Sequence, residues 1–172
     1  MFDTINKKQL AVSVGLPAAV GLLASTFSGA GHAMAFFHRP ALTPSFAVFA
    51  AFWLVMYVLL GAAAYLAVNN EIVRIFYKPH TKFSARVRTR KQMVLTLYLA
   101  HLALHFLWGV SLFGFYWYFF ALLLLVLQIV LVLHTARFFF NINPTAGLLM
   151  TPYALWLLYV LYLNAGLWRL NG

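Results

Sequence analysis

The fold is decided by FAVFAAFWLVMYVLLGAAAYLAV, residues 46–68, a stretch that contains no charged residue. At about 1.5 Å of rise per residue, a helix over this stretch is about 34 Å long and crosses a bilayer core of about 30 Å. The segment Arg39-Pro-Ala-Leu-Thr-Pro44 stands shortly before it, and its two prolines stiffen the approach. The sequence therefore predicts a membrane helix that is preceded by a proline-containing loop over residues 28–45.

The composition excludes a soluble domain and several classes of enzyme. Of the 172 residues, 65% are hydrophobic and 8% are charged, and the mean hydropathy is +0.89, whereas charged residues approach a quarter of a soluble domain. The chain has no cysteine, and its two acidic residues are Asp3 and Glu71. Thiol chemistry, paired-carboxylate catalysis and carboxylate metal cages are therefore excluded.

The apolar segments predict an all-α membrane protein that forms one domain over residues 1–172. Short polar breaks separate the segments: the turn at Gly114 makes the flanking helices antiparallel, and Pro144 ends the fourth segment. The predicted bundle has five transmembrane helices at about residues 10–27, 46–68, 93–113, 116–140 and 148–168.

The basic residues predict the topology. Lys7, Lys8, Arg137 and seven basic residues of the connector at 69–92 fall on one side of the membrane, and Arg39 and Arg169 fall on the other. The positive-inside rule then places the N-terminus inside and the C-terminus outside. A basic connector beside membrane spans meets anionic lipid headgroups, so we expect a lipid bilayer and not nucleic acid as its partner.

A second interpretation of the first segment is a secretory signal peptide. Lys7 and Lys8 precede an apolar stretch, and Ala33-Met-Ala35 has the spacing of a cleavage site. A mature protein of four helices would then result. The length of the stretch and the internal Pro17 favour a membrane span instead.

Polar and aromatic residues inside the spans fall at similar depths. Measured from the loop at 28–45, Trp53 and Trp108 lie about 10 Å deep, His105 about 15 Å, and Gln128 and Trp156 about 18 Å. Four helices therefore contribute such residues beneath the loop, which predicts a cavity there. Packing of a membrane core is the alternative explanation. The stripes comprise Trp53 and Tyr57 on the second segment, His101, His105 and Trp108 on the third, Gln128 on the fourth, and Trp156, Val160 and Asn164 on the fifth.

The pair His101 and His105 has the i, i+4 spacing that metal or haem ligands use. Without a nearby carboxylate or cysteine, we favour hydrogen bonding in a pocket and expect no metal site. Ligation of haem iron by either histidine is kept as an alternative. Gln128 alone is better explained by an interhelical hydrogen bond. Small residues at Gly61 and at Ala11, Gly15 and Ala19 permit close helix packing or a dimer contact.

These motifs resemble the TspO/MBR family, also called tryptophan-rich sensory, peripheral-type benzodiazepine receptor or translocator proteins. The resemblance covers about residues 30–171. The family's pattern at the end of the chain, Pro-Tyr-xx-Trp followed by Leu-Asn, is matched fully. The matching residues are Arg39, Pro40, Pro44, Trp53 and Tyr57; then Trp108, Phe113 and Gly114; then Pro152, Tyr153, Trp156, Leu163 and Asn164.

The resemblance implies a five-helix bundle, often dimeric, whose pocket is capped by the first loop. Family members bind porphyrins such as protoporphyrin IX and haem, and in animals cholesterol and benzodiazepine-type drugs. It implies a core of pocket residues here: Trp53, His105, Trp108, Trp156 and Val160. With the residues of the loop and of the neighbouring stripes, the predicted ligand-binding set also contains Tyr57, Arg39, Pro40, Pro44, Gln128 and Asn164.

Some positions depart from the family pattern: Leu42 replaces the tryptophan of the loop, and His101 and His105 replace a glutamine and an asparagine. We expect an integral membrane receptor, sensor or carrier that binds a tetrapyrrole or another flat lipophilic molecule. The porphyrin or haem is a ligand and not an obligatory cofactor. A homodimer in a bacterial inner membrane is expected, without enzymatic activity. The alternatives are a light-dependent porphyrin-degrading enzyme and a haem-ligating membrane protein that uses His101 or His105.

Overall fold

A computed structural model describes residues 6–69 and 82–172, with side chains described from residue 89 in the second part. These residues form helices and no strand, and five helices are long and apolar enough to cross a membrane. The prediction of an all-α bundle with five transmembrane helices is confirmed. Residues 70–81 of the basic connector lie outside the described residues, whereas the part from Lys82 onwards is helical, so the third long helix begins eleven residues before the predicted start at 93. The helices are α1 (Lys7–Ser28), α2 (Ala30–Phe36), α3 (Phe46–Val68), α4 (Lys82–Gly109, continued by a π-helical turn at Val110–Gly114), α5 (Tyr118–Phe140) and α6 (Pro144–Asn171).

The last helix begins four residues earlier than the sequence predicts. Pro144 ends the preceding turn but also opens α6, since a proline at the first helical position loses no hydrogen bond. The side chain of Asn143 caps this end by accepting hydrogen bonds from the backbone N–H groups of Thr145 and Ala146, at 3.0 and 3.3 Å. The helix also tolerates the internal Pro152.

The predicted loop at 28–45 contains the short helix α2. Gly29 separates it from α1 with a left-handed φ of +62°, and its N–H bonds to the carbonyls of Ser25 and Thr26. Ala33 of the suggested cleavage site is buried in α2. The signal-peptide interpretation stays a prediction.

Residues 37–45 form a loop that is fastened to α6. Asn171 accepts a hydrogen bond from the backbone N–H of His38 and donates one to its carbonyl, both at 2.9 Å. The hydroxyl of Tyr159 donates to the carbonyl of Leu42 at 2.7 Å, and that of Tyr162 donates to Ala41 at 3.0 Å. We call the end of the bundle that carries this loop the loop end.

At the opposite end α1 packs closely against α3 and α4. Gly61 lies directly against the backbone of Ser13 and Val14, where a β-carbon would overlap both residues. The Tyr98 hydroxyl donates to the carbonyl of Ser13 at 2.7 Å. These contacts hold α1 near the N-terminus, whereas towards the loop end a cavity separates it from α3 and α4.

Candidate ligand-binding cavity

A cavity of about 300 Å³ lies between α1, α3 and α4 in the half of the bundle nearest the loop end. We call it the lateral cavity. Its inner wall is aromatic, its outer wall consists of small and aliphatic residues of α1 and α3, and α2 closes the top. The lining residues are Ala18, Gly21, Leu22, Ala24, Ser25, Ser28, Ala30, Phe46, Phe49, Ala50, Trp53, Leu54, Tyr57, His105, Trp108, Gly109 and Phe113.

Trp53 is at the centre of the aromatic wall. Its ring centroid lies 4.3 Å from that of His105 and 5.5 Å from that of Trp108 on α4. On the other side, the centroid of Trp156 from α6 is 6.0 Å away at nearly a right angle. Tryptophans of three helices therefore meet at one level of the bundle, and the free space lies on the α1 side of them.

The predicted site residues fall into three places. Trp53, Tyr57, His105 and Trp108 line the lateral cavity. Three others line a second space of about 20 Å³, which shares Phe49, Trp108 and Phe113 with the lateral cavity: they are Arg39, Val160 and Asn164. The remaining four line neither space: they are Pro40, Pro44, Gln128 and Trp156.

The residues outside the cavities have other contacts. Trp156 stacks on Phe52 with centroids 4.8 Å apart and planes 6° apart, which places it between α3 and α6. Gln128 donates a hydrogen bond to the hydroxyl of Tyr153 at 2.6 Å, and so joins α5 to α6. Pro40 packs against Gly166 of α6. These contacts explain why Trp156, Gln128 and Pro40 serve packing in this structure.

The two histidines of α4 differ in surroundings. His101 is fully buried and does not line either space. The Thr135 hydroxyl donates its hydrogen to the carbonyl of Leu131 at 2.8 Å. Since its hydrogen is used in this way, the Thr135 hydroxyl oxygen must accept a hydrogen bond from Nε2 of His101, which is 3.1 Å away. His105 faces the lateral cavity, and its Nε2 is hydrogen-bonded to the Tyr57 hydroxyl at 2.6 Å.

Asn164 ties the aromatic wall to the packed side of the bundle. Its side-chain carbonyl accepts a hydrogen bond from Nε1 of Trp108 at 3.1 Å, and its amide donates to the carbonyl of Tyr118 at 3.0 Å. Without Asn164, Trp108 would lose a buried hydrogen bond and Tyr118 a partly buried one, which would cost free energy in an apolar surrounding. Asn164 therefore fixes the indole of Trp108 at the cavity wall.

Several buried polar atoms around Trp53 have no hydrogen-bond partner among the described residues. Such atoms are uncommon in folded proteins, and each is costly. All of them belong to the aromatic wall or to the packing directly behind it. They are Nε1 of Trp53 and of Trp156, Nδ1 of His101 and of His105, and Oε1 of Gln128.

Sequence reasoning missed the contribution of α1 to the cavity. Gly21, Ser25 and Ser28 line it at helical spacing, and the ring of Tyr57 packs directly on Gly21. Glycine fits at position 21 because the β-carbon of any other residue would overlap that ring. The run of small residues at these positions was the available signal, although small residues mark close packing as often as a cavity.

The lining determines what the cavity can hold. Among the described residues, no charged side chain lines it, and the polar groups are those of Ser25, Ser28, Tyr57, His105 and the two tryptophans. Such a surface binds apolar and aromatic ligands through dispersion and offers few hydrogen bonds for orientation. No group of three or more His, Cys, Asp or Glu that could bind a metal ion occurs in the described part of the chain.

Five membrane-long helices around an aromatic-walled cavity define an integral membrane protein of the binding or sensory class. The sequence profile of the TspO/MBR family matches residues 13–169. The chain therefore belongs to the TspO/MBR family, as the resemblance predicts. No curated protein matches the chain.

Proposed function

We propose that this protein binds a tetrapyrrole, such as protoporphyrin IX or haem, as a membrane receptor, sensor or carrier. The observation that carries the proposal is the lateral cavity, whose inner wall is formed by Trp53, Tyr57, His105 and Trp108. A flat apolar macrocycle gains dispersion energy against such rings. Membership of the TspO/MBR family supports a binding or sensory role.

The size of the cavity defines how a tetrapyrrole fits. A volume of about 300 Å³ is at the lower end of ligand pockets, which range from about 300 to 1,000 Å³. A whole macrocycle needs more room. We propose that one edge inserts against Trp53 while the other edge remains between Leu22 and Leu54, which are exposed on the membrane side.

Arg39 supports the orientation of the ligand. It lies exposed at the loop end and lines the small space beside Trp108, but it does not line the lateral cavity. Carboxylates of a tetrapyrrole favour the membrane surface over the apolar interior, and a guanidinium binds carboxylates well. We propose that the propionates point towards the loop end and that Arg39 attracts them.

A titration with protoporphyrin IX tests the proposal. Binding is followed by the porphyrin absorbance so that the readout does not depend on tryptophan emission. We expect saturable binding that weakens by about tenfold in Trp53→Phe, since a smaller ring loses contact area. The matched control is Trp168→Phe, whose indole is partly exposed and lines neither space. Non-saturable binding, or equal affinities in the two variants, would contradict the proposal.

We propose binding without turnover. The two acidic residues of the chain, Asp3 and Glu71, lie outside the described residues and outside the predicted spans, so an ordinary acid–base pair is not expected in the cavity. The test is illumination of the bound porphyrin. An unchanged absorption spectrum over hours supports binding alone, whereas bleaching that requires the protein would support the porphyrin-degrading alternative.

Ligation of haem iron is a second candidate function because His105 faces the lateral cavity. Its Nε2 is engaged by Tyr57, so an iron bond at this atom would have to replace that hydrogen bond. The test is the Soret band of added haem. A shift that disappears in His105→Ala but persists in His101→Ala supports ligation by His105. An equal spectrum in all three proteins would exclude it.

The membrane placement is also proposed. We propose a bacterial inner membrane with the N-terminus inside, since Lys7 and Lys8 begin α1. Because the chain has no cysteine, single cysteines at Lys7 and at Arg169 can be labelled with an impermeant maleimide on intact cells. We expect labelling at position 169 only, and the reverse pattern would overturn the orientation.

We propose a homodimer, as the family resemblance implies. Ala11, Gly15 and Ala19 form an exposed face on α1, and nothing lies within 4 Å of a β-carbon added at Gly15. Small residues permit close helix approach in membranes. Native mass spectrometry of the protein released from nanodiscs measures the assembly, and a purely monomeric spectrum would contradict the proposal.

A further inference from the structure

The exposed residues of the lateral-cavity lining lie on α1 and α3, and they include Phe46 at the start of α3, which is 39% exposed. The top and inner walls of the cavity are buried: Phe113 near the loop end is 6% exposed, and Trp108 is 2% exposed. Leu22 on α1 and Leu54 on α3 line the same cavity but are 66% and 55% exposed. The opening therefore lies between α1 and α3.

The opening faces the hydrocarbon of the bilayer. Leu22 precedes the end of α1 by six residues and Leu54 follows the start of α3 by eight, which places them about 9 and 12 Å from the helix ends. The hydrocarbon core extends about 15 Å on each side of its midplane. The surface of the protein at this depth meets acyl chains and not water.

The route from the loop end is obstructed. At this end the lining consists of Ser28 and Ala30, which are buried at 6% and 4% exposure, and of Phe46 at the start of α3. Below the cavity, the close contact of Gly21 with Tyr57 closes the floor. An occupant that enters without rearrangement of the bundle therefore comes from the side.

We infer that a phospholipid acyl chain inserts between Leu22 and Leu54 and fills the lateral cavity in the protein without ligand. The hydrocarbon outside the opening is the local solvent, and an acyl chain gains contacts with the aromatic wall that an empty space would forfeit.

Water is disfavoured because most of the lining is apolar and a buried water needs about two to four polar partners. The Tyr57 hydroxyl is bonded to His105 and that of Ser28 to the carbonyl of Ser25. This leaves Nε1 of Trp53 and Nδ1 of His105 as the unpaired buried polar atoms of the lining among the described residues. A ligand of this cavity then displaces lipid.

The inference goes beyond the proposed function and is tested without any tetrapyrrole. The background protein carries Trp117→Phe and Trp168→Phe, because these two indoles are more than two-fifths exposed and would meet lipid directly. It is placed in nanodiscs of phosphatidylcholine whose acyl chains are brominated near the middle, or in the same lipid without bromine. Bromine quenches the remaining buried indoles on contact.

The decisive comparison uses two phenylalanine substitutions on neighbouring residues of α3. Ala50 lines the lateral cavity, whereas Ala51 is exposed and does not. We expect Ala50→Phe to lower the bromine quenching by at least about twofold, because the added ring takes up the space of the chain. Ala51→Phe should leave the quenching unchanged.

Two further measurements keep the test decisive. If Ala50→Phe does not fold, Ala50→Leu fills part of the same space and is compared in the same way. Native mass spectrometry should show a tightly retained phospholipid that is lost in the filled variant but not in Ala51→Phe. Equal bromine quenching in the two variants would overturn the inference. Quenching of the buried indoles by aqueous acrylamide and not by bromine would also overturn it, because the cavity would then be reached by water.

Discussion

The two sides of Trp53 differ in how completely they are packed. Towards α5 and α6, polar side chains bond across helices, as in the pairs Gln128 with Tyr153 and Trp108 with Asn164. Towards α1, the same ring faces a cavity of about 300 Å³. In α1, 17% of an apolar 18-residue stretch is buried, against 44% of the corresponding stretch in α6. The packing that stabilises the bundle is therefore concentrated on the side of α5 and α6, whereas the space for a ligand lies on the side of α1.

Removal of a packed side chain from α6 should destabilise the protein most. Leu157 is fully buried, so Leu157→Ala should lower the free energy of unfolding by about 3 kcal/mol through the cavity that it leaves. The matched control Leu155→Ala, on the same helix but 63% exposed, should cost less than about 0.5 kcal/mol. The measurement is the denaturation midpoint in a mixed-micelle titration with sodium dodecyl sulfate. Equal midpoints would show that α6 is not the packed side.

A second change tests whether α1 is held at one point. Gly61→Ala places a methyl group into the backbone of α1 and should cost about 2 kcal/mol. In Gly15→Ala the methyl group meets nothing within 4 Å, and the change should be neutral or stabilising by up to about 1 kcal/mol. Thermal unfolding of both variants measures the difference. A similar loss in both would mean that α1 is packed along its whole length.

The hydrogen bond at the cavity wall should contribute less. Tyr57→Phe leaves Nε2 of His105 without its partner at 2.6 Å and should cost about 1–2 kcal/mol. In the control Tyr162→Phe, the lost bond joins a hydroxyl to the exposed loop, where water replaces it at a cost below about 1 kcal/mol. The unfolding midpoints of the two variants are compared. A larger loss of stability in Tyr162→Phe would show that the bond to the loop contributes more than the bond at the cavity wall.

The bonds that fasten the loop at 37–45 should contribute least to the free energy of unfolding. Asn171→Ala removes both bonds to His38 and should cost about 0.5–1 kcal/mol, since water satisfies the exposed groups. Hydrogen exchange of the His38 amide should nevertheless become faster. Asn141→Ala, at an exposed position at the opposite end of the bundle, is the control. Unchanged exchange in Asn171→Ala would show that the loop is held by its other contacts.

Much of the fold follows from the sequence because membrane spans depend on length and charge. The span over Phe46–Val68 is predicted to the residue, since a charge-free run must satisfy its backbone internally. The start of α4 was missed because the basic residues before position 93 lie outside the apolar run but still favour a helix. The start of α6 and the helix α2 were missed because a proline and a glycine can each either end or begin a helix. Local sequence does not decide between these roles.

The site is less predictable for a geometrical reason. The rise per residue fixes the depth of a side chain, so Trp53, Trp108 and Trp156 were expected at neighbouring levels and lie close together. The rotation of each helix about its axis is set by packing. Trp156 therefore has a suitable depth but faces Phe52, and the small residues of α1 that face the cavity could equally mark close helix packing.

The gap between Leu22 and Leu54 has a practical corollary for work outside the bilayer. During extraction, detergent tails take the place of hydrocarbon at this gap and can compete for the same volume. An affinity determined in micelles is then an exchange constant, which depends on the alkyl length and concentration of the surfactant. Values from different surfactants are comparable only after extrapolation to a common medium.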